Sequence, residues 1–230
     1  MITCPVCGKQ NDDLARLCTS CKSFLQSKVD NLNLFSTVWG LIESPSTTFK
    51  RIVLSQHKNY VLLLSSLLGI CLLYTIFWYK NLGYVFPNLL MLIGAGLVVG
   101  PPFGVIFAAG FSFVLLQIAR MFGGRATFLN SLSVVAYAAV PLVFALIFVF
   151  PIELAAFGLD FFGRNPHPMV IKPVVYVLLI GMDALAFLLS WLLLIEGTIV
   201  ANGLTRRKTG WATFLVMVLT GISAFVLYFL

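Results

Sequence analysis

The chain has 230 residues, 60% of them hydrophobic and only 10% charged, with a net charge of +7. This composition excludes an ordinary soluble domain, in which about a quarter of residues are charged. The positive balance does not point to nucleic acid. No basic cluster interleaved with aromatics lies outside the apolar runs, and basic residues in a membrane protein mark its cytoplasmic loops.

The start, Met1 to Pro5, carries neither the basic region nor the apolar core of a secretory signal. The first element is instead a cysteine head. Cys4-Pro5-Val6-Cys7 and Cys18-Thr19-Ser20-Cys21 are two C-x-x-C knuckles separated by ten residues. This is the spacing of a zinc ribbon, in which each knuckle turns two thiolates to one side and two knuckles complete a tetrahedral site. Gly8 and Lys22 follow the second cysteine of each pair, where the turn needs conformational freedom. Two disulfides or a redox pair are the alternatives. A cytosolic head disfavours stable disulfides, and paired knuckles are unlike a single redox C-x-x-C. With all four positions filled by protein, the ion, Zn2+, is expected to be structural. A head of about 25 residues buries too little apolar surface to fold without it.

Residues 26–59 are expected to hold a linker and two amphipathic interfacial helices. Gln26 to Asn33 is polar. Phe35, Val38, Trp39 and Ile42 then recur on one helical face. Ser44-Pro45 reads as the cap and first-turn proline of a second helix. Its apolar residues are Phe49, Ile52 and Val53, with Lys50, Arg51 and Lys58 around them. Both helices are too short to span and are predicted on the inner leaflet; packing against their own domain is the alternative.

Residues 60–230 read as five spans: Tyr60–Tyr79, Leu89–Ala119, Phe128–Phe150, Val174 to about Ile195 or further through the mild Gly197–Leu204 tail, and Trp211–Leu230. Trp78 and Tyr79 would lie in an interfacial aromatic belt. The second run would reach about 46 Å as a straight helix, beyond the ~30 Å hydrocarbon core. Gly100-Pro101-Pro102 inside it predicts a helix break or kink. Pro151 is expected to end the third span. The loop from Ile152 to Pro173 would carry Phe157, Leu159, Phe161 and Phe162 on the membrane surface.

Five spans with the N-terminus inside place twelve basic residues on the inner side: Lys9, Arg16, Lys22, Lys28, Lys50, Arg51, Lys58, Arg120, Arg125, Arg206, Arg207 and Lys208. Three lie outside: Lys80, Arg164 and Lys172. Splitting the second run into two crossings would destroy that asymmetry, which sets orientation. The fold class is thus an all-α membrane bundle of five helices, preceded by interfacial helices and a Cys4 zinc ribbon. It is expected in the cytoplasmic membrane, with the N-terminus cytosolic and the C-terminus outside.

Inside the bundle, Asp183 is the sharpest candidate, because a carboxylate at mid-depth is costly and points to function by default. Tyr137 is predicted at matching depth, as its hydrogen-bond partner; helix–helix adhesion is the bland meaning. Glu196 should pair with Arg206 or Arg207. Gly94, Gly96, Gly100, Gly104, Ala108 and Gly110 place small residues where backbones can approach, or beside a crevice at Pro101-Pro102. Cys71 is expected to behave as a small hydrophobe.

Three segments carry a family resemblance. They are Trp39-Gly40-Leu41-Ile42-Glu43-Ser44-Pro45-Ser46-Thr47-Thr48-Phe49; Gly123-Gly124-Arg125-Ala126-Thr127-Phe128 with Ser131, Tyr137 and Pro141; and Trp191 through Gly197 with the basic turn after it. Their order and spacing resemble the Yip (Ypt-interacting protein) family of five-span membrane domains, in its prokaryotic form with a zinc ribbon in front. The eukaryotic relatives act in vesicle traffic and bind Rab-type GTPases; their partner-binding tails are longer, so that activity does not carry over.

These features predict a non-enzymatic scaffold or organiser of membrane proteins or lipids. The bilayer is its first partner, and a protein would dock on the zinc ribbon. A transporter or channel using Asp183 and the Pro101-Pro102 break is the alternative. An enzyme is disfavoured: no paired carboxylates, serine–base arrangement or metal-spaced histidine cluster is visible, and His57 and His167 fall in separate compartments. The odd span number and lack of an internal repeat also weigh against a two-fold transporter.

Overall fold

The computed structural model describes residues 2–12, 14–26 and 31–229, with side chains through residue 222. Lys28, much of the 26–33 linker and Leu230 lie outside the described residues. The head contains a minimal antiparallel pair, β1 (Ile2–Thr3) with β2 (Gln10–Asn11), and a single bridge between Leu17 and Phe24. Among the described residues, the named elements that follow it are all helices. Helices α1 (Leu34–Glu43) and α2 (Pro45–Leu54) lead into α3 (Val61–Tyr79) and α4 (Leu89–Met121). Next come α5 (Phe128–Ala138), α6 (Val140–Phe144), a π turn (Ala145–Val149) and α7 (Phe150–Phe157). Short α8 (Pro168–Ile171), long α9 (Pro173–Asn202) and α10 (Arg206–Phe229) follow.

Among the described residues, four helical segments are long and apolar enough to cross a membrane: Val61–Tyr79, Leu89–Met121, Phe128–Phe162 and Pro173–Asn202. The chain is a multi-pass membrane protein. The 24-residue α10 is the remaining long helix.

The third segment differs from expectation. Pro151 does not end it. The Phe150 N–H donates to the Ala145 carbonyl five residues back. That wide turn accommodates Pro151 in the first turn of α7, where its missing N–H costs nothing. Helix α7 therefore continues through Glu153, a residue expected in the loop from Ile152 to Pro173.

Other expectations are also corrected. Helix α4 is uninterrupted through Pro101 and Pro102. In lipid a broken helix would expose backbone donors and acceptors with no water to satisfy them, and α3 packs along this stretch. A Cβ on Gly69 of α3 would strike the Gly100 carbonyl and the Gly104 backbone. Gly96 faces the ring of Tyr74, whose hydroxyl donates to the Ile93 carbonyl at 2.9 Å. Gly94 and Gly110 have nothing nearby. The small-residue stripe is thus a helix crossing at Gly96, Gly100 and Gly104, not along its whole length.

Helix α2 is not a surface helix. Phe49 and Ile52 are fully buried and Val53 nearly so, all in one core with Val134, Tyr137, Leu194 and Val216. The α1 face behaves differently: Phe35 is 80%, Trp39 57% and Ile42 70% exposed. Proline in its first turn and the Ser44 elbow turn α2 inward, while α1 sends Leu41 and Val38 to the core and leaves Phe35, Trp39 and Ile42 uncovered.

A second core lies at the other end of the bundle. It contains Tyr74, Phe77, Phe157, Phe161, Phe162 and Tyr176. The loop phenylalanines expected on the membrane surface are buried here; Phe162 is fully enclosed. Tyr74 stacks on Phe150 with centroids 4.4 Å apart, a geometry that adds to area burial.

Candidate functional site

The head is built by two equivalent knuckles. In the first, the Gly8 N–H donates to the Cys4 carbonyl at 3.0 Å and the Cys4 N–H to the Lys9 carbonyl at 2.9 Å. In the second, Lys22 donates to Cys18 at 3.1 Å and Cys18 to Ser23 at 2.9 Å. Gly8 (φ 69°) and Lys22 (φ 58°) both take the left-handed conformation that closes these turns. Gly8 does so without a steric penalty.

The turns bring Cys4, Cys7, Cys18 and Cys21 together, with all four Sγ atoms within 4.8 Å of one another. Cys4–Cys21 and Cys7–Cys18 are each 3.5 Å apart. Tetrahedral thiolates at Zn–S distances near 2.3 Å would stand about 3.8 Å apart. None of the cysteines is in a disulfide. Soft donors in this arrangement could hold a metal ion, and they are the residues expected from the sequence.

A shell of polar groups surrounds the thiols. Ser23 Oγ lies 3.0 Å from both Cys4 Sγ and Cys21 Sγ. Asn11 Nδ2 approaches Cys18 Sγ at 3.6 Å, and the Ser20 N–H donates to it at 3.4 Å. Contact with the Ser23 hydroxyl is the main reason the Cys4 thiol is lowered to about 6. Backbone donation from Cys21 lowers Cys18. At Cys7 backbone donation from Lys9 pulls downward, but Cys21, desolvation and the other thiols raise it to about 12. Without a cation, four clustered thiols cannot all be thiolates; a bound divalent ion removes that conflict.

The head rests on the bundle. Arg125, in the α4–α5 turn, pairs with Asp12 at 3.3 Å, and Leu14 packs on the first core. The turn itself is locked from α9. The Ala126 N–H donates to Asn202 Oδ1 at 3.2 Å, and Asn202 Nδ2 donates to the Thr198 carbonyl at 3.1 Å. Gly123 is at φ 91°. A Cβ on Gly124 would meet the Ala119 carbonyl at 2.8 Å. Thr127 caps α5, accepting from the Asn130 N–H at 3.3 Å.

The three sequence segments converge at this end. A Cβ on Gly197 would meet Val134 Cγ1 at 2.7 Å and Phe49 Cε1 at 2.8 Å. Phe49 belongs to the first segment, Gly197 to the third, and Val134 to the helix that the second begins. Glu196 pairs with Arg206 as expected and accepts from Ser46 Oγ at 3.3 Å.

The expected Tyr137–Asp183 bond is absent. The Tyr137 hydroxyl donates to the Asn59 carbonyl at 2.8 Å, at the mouth of α3. Helix α9 continues to Asn202, well past Ile195. Counted from its inner-motif end, Asp183 is 19 residues in, about 28 Å, whereas Tyr137 is nine residues from the start of α5, about 14 Å. Asp183 instead faces Glu153 across the packing of α9 on α7, a proximity of two carboxyl groups that the sequence does not reveal. Cys71 donates weakly to the Leu142 carbonyl at 3.4 Å, as a half-buried packing residue.

Fold and head together define a polytopic helical membrane protein with an N-terminal thiol cluster suited to a metal ion. The sequence matches the Yip1 domain over residues 39–228, and the chain belongs to that family. The match begins at Trp39, the first residue of the first segment. No curated protein and no solved structure matches the chain.

Proposed function

We propose that this protein is a non-enzymatic organiser in the cytoplasmic membrane, of the prokaryotic type, whose head is a structural zinc ribbon that docks a partner protein. One observation carries this reading: the Asp12–Arg125 pair and Leu14 join the head to the glycine turn of the family domain. A partner bound to the head would thereby be held against the bundle. Cys4, Cys7, Cys18 and Cys21 would hold the zinc, whose contribution is to fix the knuckles.

The bundle would comprise five spans, with α10 as the fifth. The head lies inside and the C-terminus outside, in accord with the twelve-to-three basic asymmetry. Helix α1 would lay Phe35, Trp39 and Ile42 into the inner leaflet. Helix α4 runs uninterrupted through Pro101 and Pro102, which favours organisation ahead of transport.

The test is crosslinking in native membranes with a lysine-reactive reagent, followed by identification of partners attached at Lys9 and Lys22. The expected result is a defined partner set captured by the natural protein and lost when Cys18 and Cys21 are both serine. The same partners, captured equally by both forms, would contradict docking on the zinc ribbon.

A further inference from the structure

Two carboxyl groups face each other where α7 packs on α9, one enclosed and one half-buried. Glu153 is only 2% exposed, and its Oε1 is buried with no hydrogen-bond partner among the described residues. Asp183, half-buried on α9, faces it where that helix packs on α7. From α3, the Cys71 thiol faces Asp183. From α9, Tyr176 faces Glu153, with its ring against Phe157 and His167. The nearby cation Lys172 donates to the Ala156 carbonyl at 3.1 Å, and among the described residues neither acid forms an ion pair with a lysine or arginine.

This arrangement has few acceptable charge states. Two carboxylates facing each other repel, and the enclosed Glu153 also loses its hydration. Two neutral acids give up the charge-assisted bond. One proton between them gives an O–H···O⁻ contact, which is short and strong. A group this costly in a membrane points to a bound ion or proton. The π turn Ala145–Val149 delivers α7 to this position, and such turns recur at functional sites.

We propose that Glu153 and Asp183 form an intramembrane proton-binding site that holds one proton between two carboxyl groups. The site goes beyond the organising role and does not depend on it. It lies at the opposite end of the bundle from the head, beside the second aromatic core.

The experiment is infrared titration of the full-length protein in detergent, reading the C=O stretch of a protonated carboxyl. The natural protein should show this band at neutral pH, and Glu153→Gln should remove it. Asp183→Asn keeps a hydrogen-bond partner but removes the neighbouring charge. The band should then persist but titrate lower by about a pH unit or more. Thermal melting shows which variants are folded; if Glu153→Gln is not, the Asp183→Asn titration decides. Absence of the band at neutral pH would overturn the proposal. So would an unmoved midpoint in Asp183→Asn. Loss of the band on replacing potassium by sodium at fixed pH would also overturn it, by identifying a metal-cation site.

Discussion

Replacing Cys18 and Cys21 together by serine should abolish metal binding and unfold the head. The natural full-length protein should carry one zinc per chain, and the variant none. The size of this effect follows from how little else holds the head. Its regular structure is two strands of two residues each and one bridge, and Val6, Leu17 and Phe24 remain exposed. Structural zinc supplies on the order of 10–16 kcal/mol in small thiolate modules, far more than such packing. Binding should also weaken as pH falls. The ion needs thiolates; Cys4, lowered to about 6, is already ionised at neutral pH, whereas Cys7, raised to about 12, still holds its proton. At least one proton leaves as the metal enters, so affinity should drop about tenfold or more per pH unit of acidification. Competition with a chelator across a pH series measures this. Metal retained by the double variant would contradict the assignment.

Gly104→Leu should destabilise the bundle more than any other single glycine change in α4. Its Cβ would strike the Ser65 carbonyl and the Gly69 backbone. Those are backbone atoms on a facing helix, so no rotamer change relieves the overlap. Overpacking in ordinary cores costs roughly 1–3 kcal/mol; a backbone clash across the α3–α4 crossing should reach or exceed the top of that range. Gly110→Ala is the control, because nothing lies within 4 Å of the added carbon, and helix propensity favours alanine by about 0.8–1 kcal/mol. Thermal unfolding in detergent should therefore fall for Gly104→Leu and stay level or rise for Gly110→Ala. Equal melting of the two would remove the crossing from the account.

What could be read in the sequence, and what could not, divides along range. Local signals were sufficient for the head: two C-x-x-C turns with Gly8 and Lys22 after them specify their own geometry. Hydropathy alone located the apolar helices, because lipid demands length and composition. The side-chain partners depended on depth, and depth depended on where helices stop. An end of the third span at Pro151 hides Glu153, and counting about ten residues into the fourth span and nine into the third puts Asp183 level with Tyr137, although α9 runs on to Asn202. Proline was read as an interruption at both Pro101-Pro102 and Pro151. In each place the helix continues, by close packing on Gly69 in one case and by a π turn in the other. The amphipathic patterns of α1 and α2 are alike in sequence. Only the tertiary fold distinguishes the exposed Phe35–Trp39–Ile42 face from the enclosed Phe49 and Ile52.

The joining of head to bundle gives Arg125 two neighbours of different character. Asp12 pairs with it from the head, while Asn202 fixes the adjoining Ala126 from α9. The three family segments thus form a framework at one end of the molecule, on which the head sits. The carboxyl pair lies toward the other end, among the aromatics of the second core. That separation puts the proposed docking function on the inner side of the membrane only if the chain is oriented with its head in the cytosol.

Orientation is therefore the most direct test. A reporter active only in the cytosol and one active only after export are fused in turn before Met1 and after Leu230 of the full-length chain. Cytosolic activity is expected at the N-terminal fusion and exported activity at the C-terminal one. Cytosolic activity at both ends would contradict the five-span arrangement, and exported activity at the N-terminal end would contradict a cytosolic metal head.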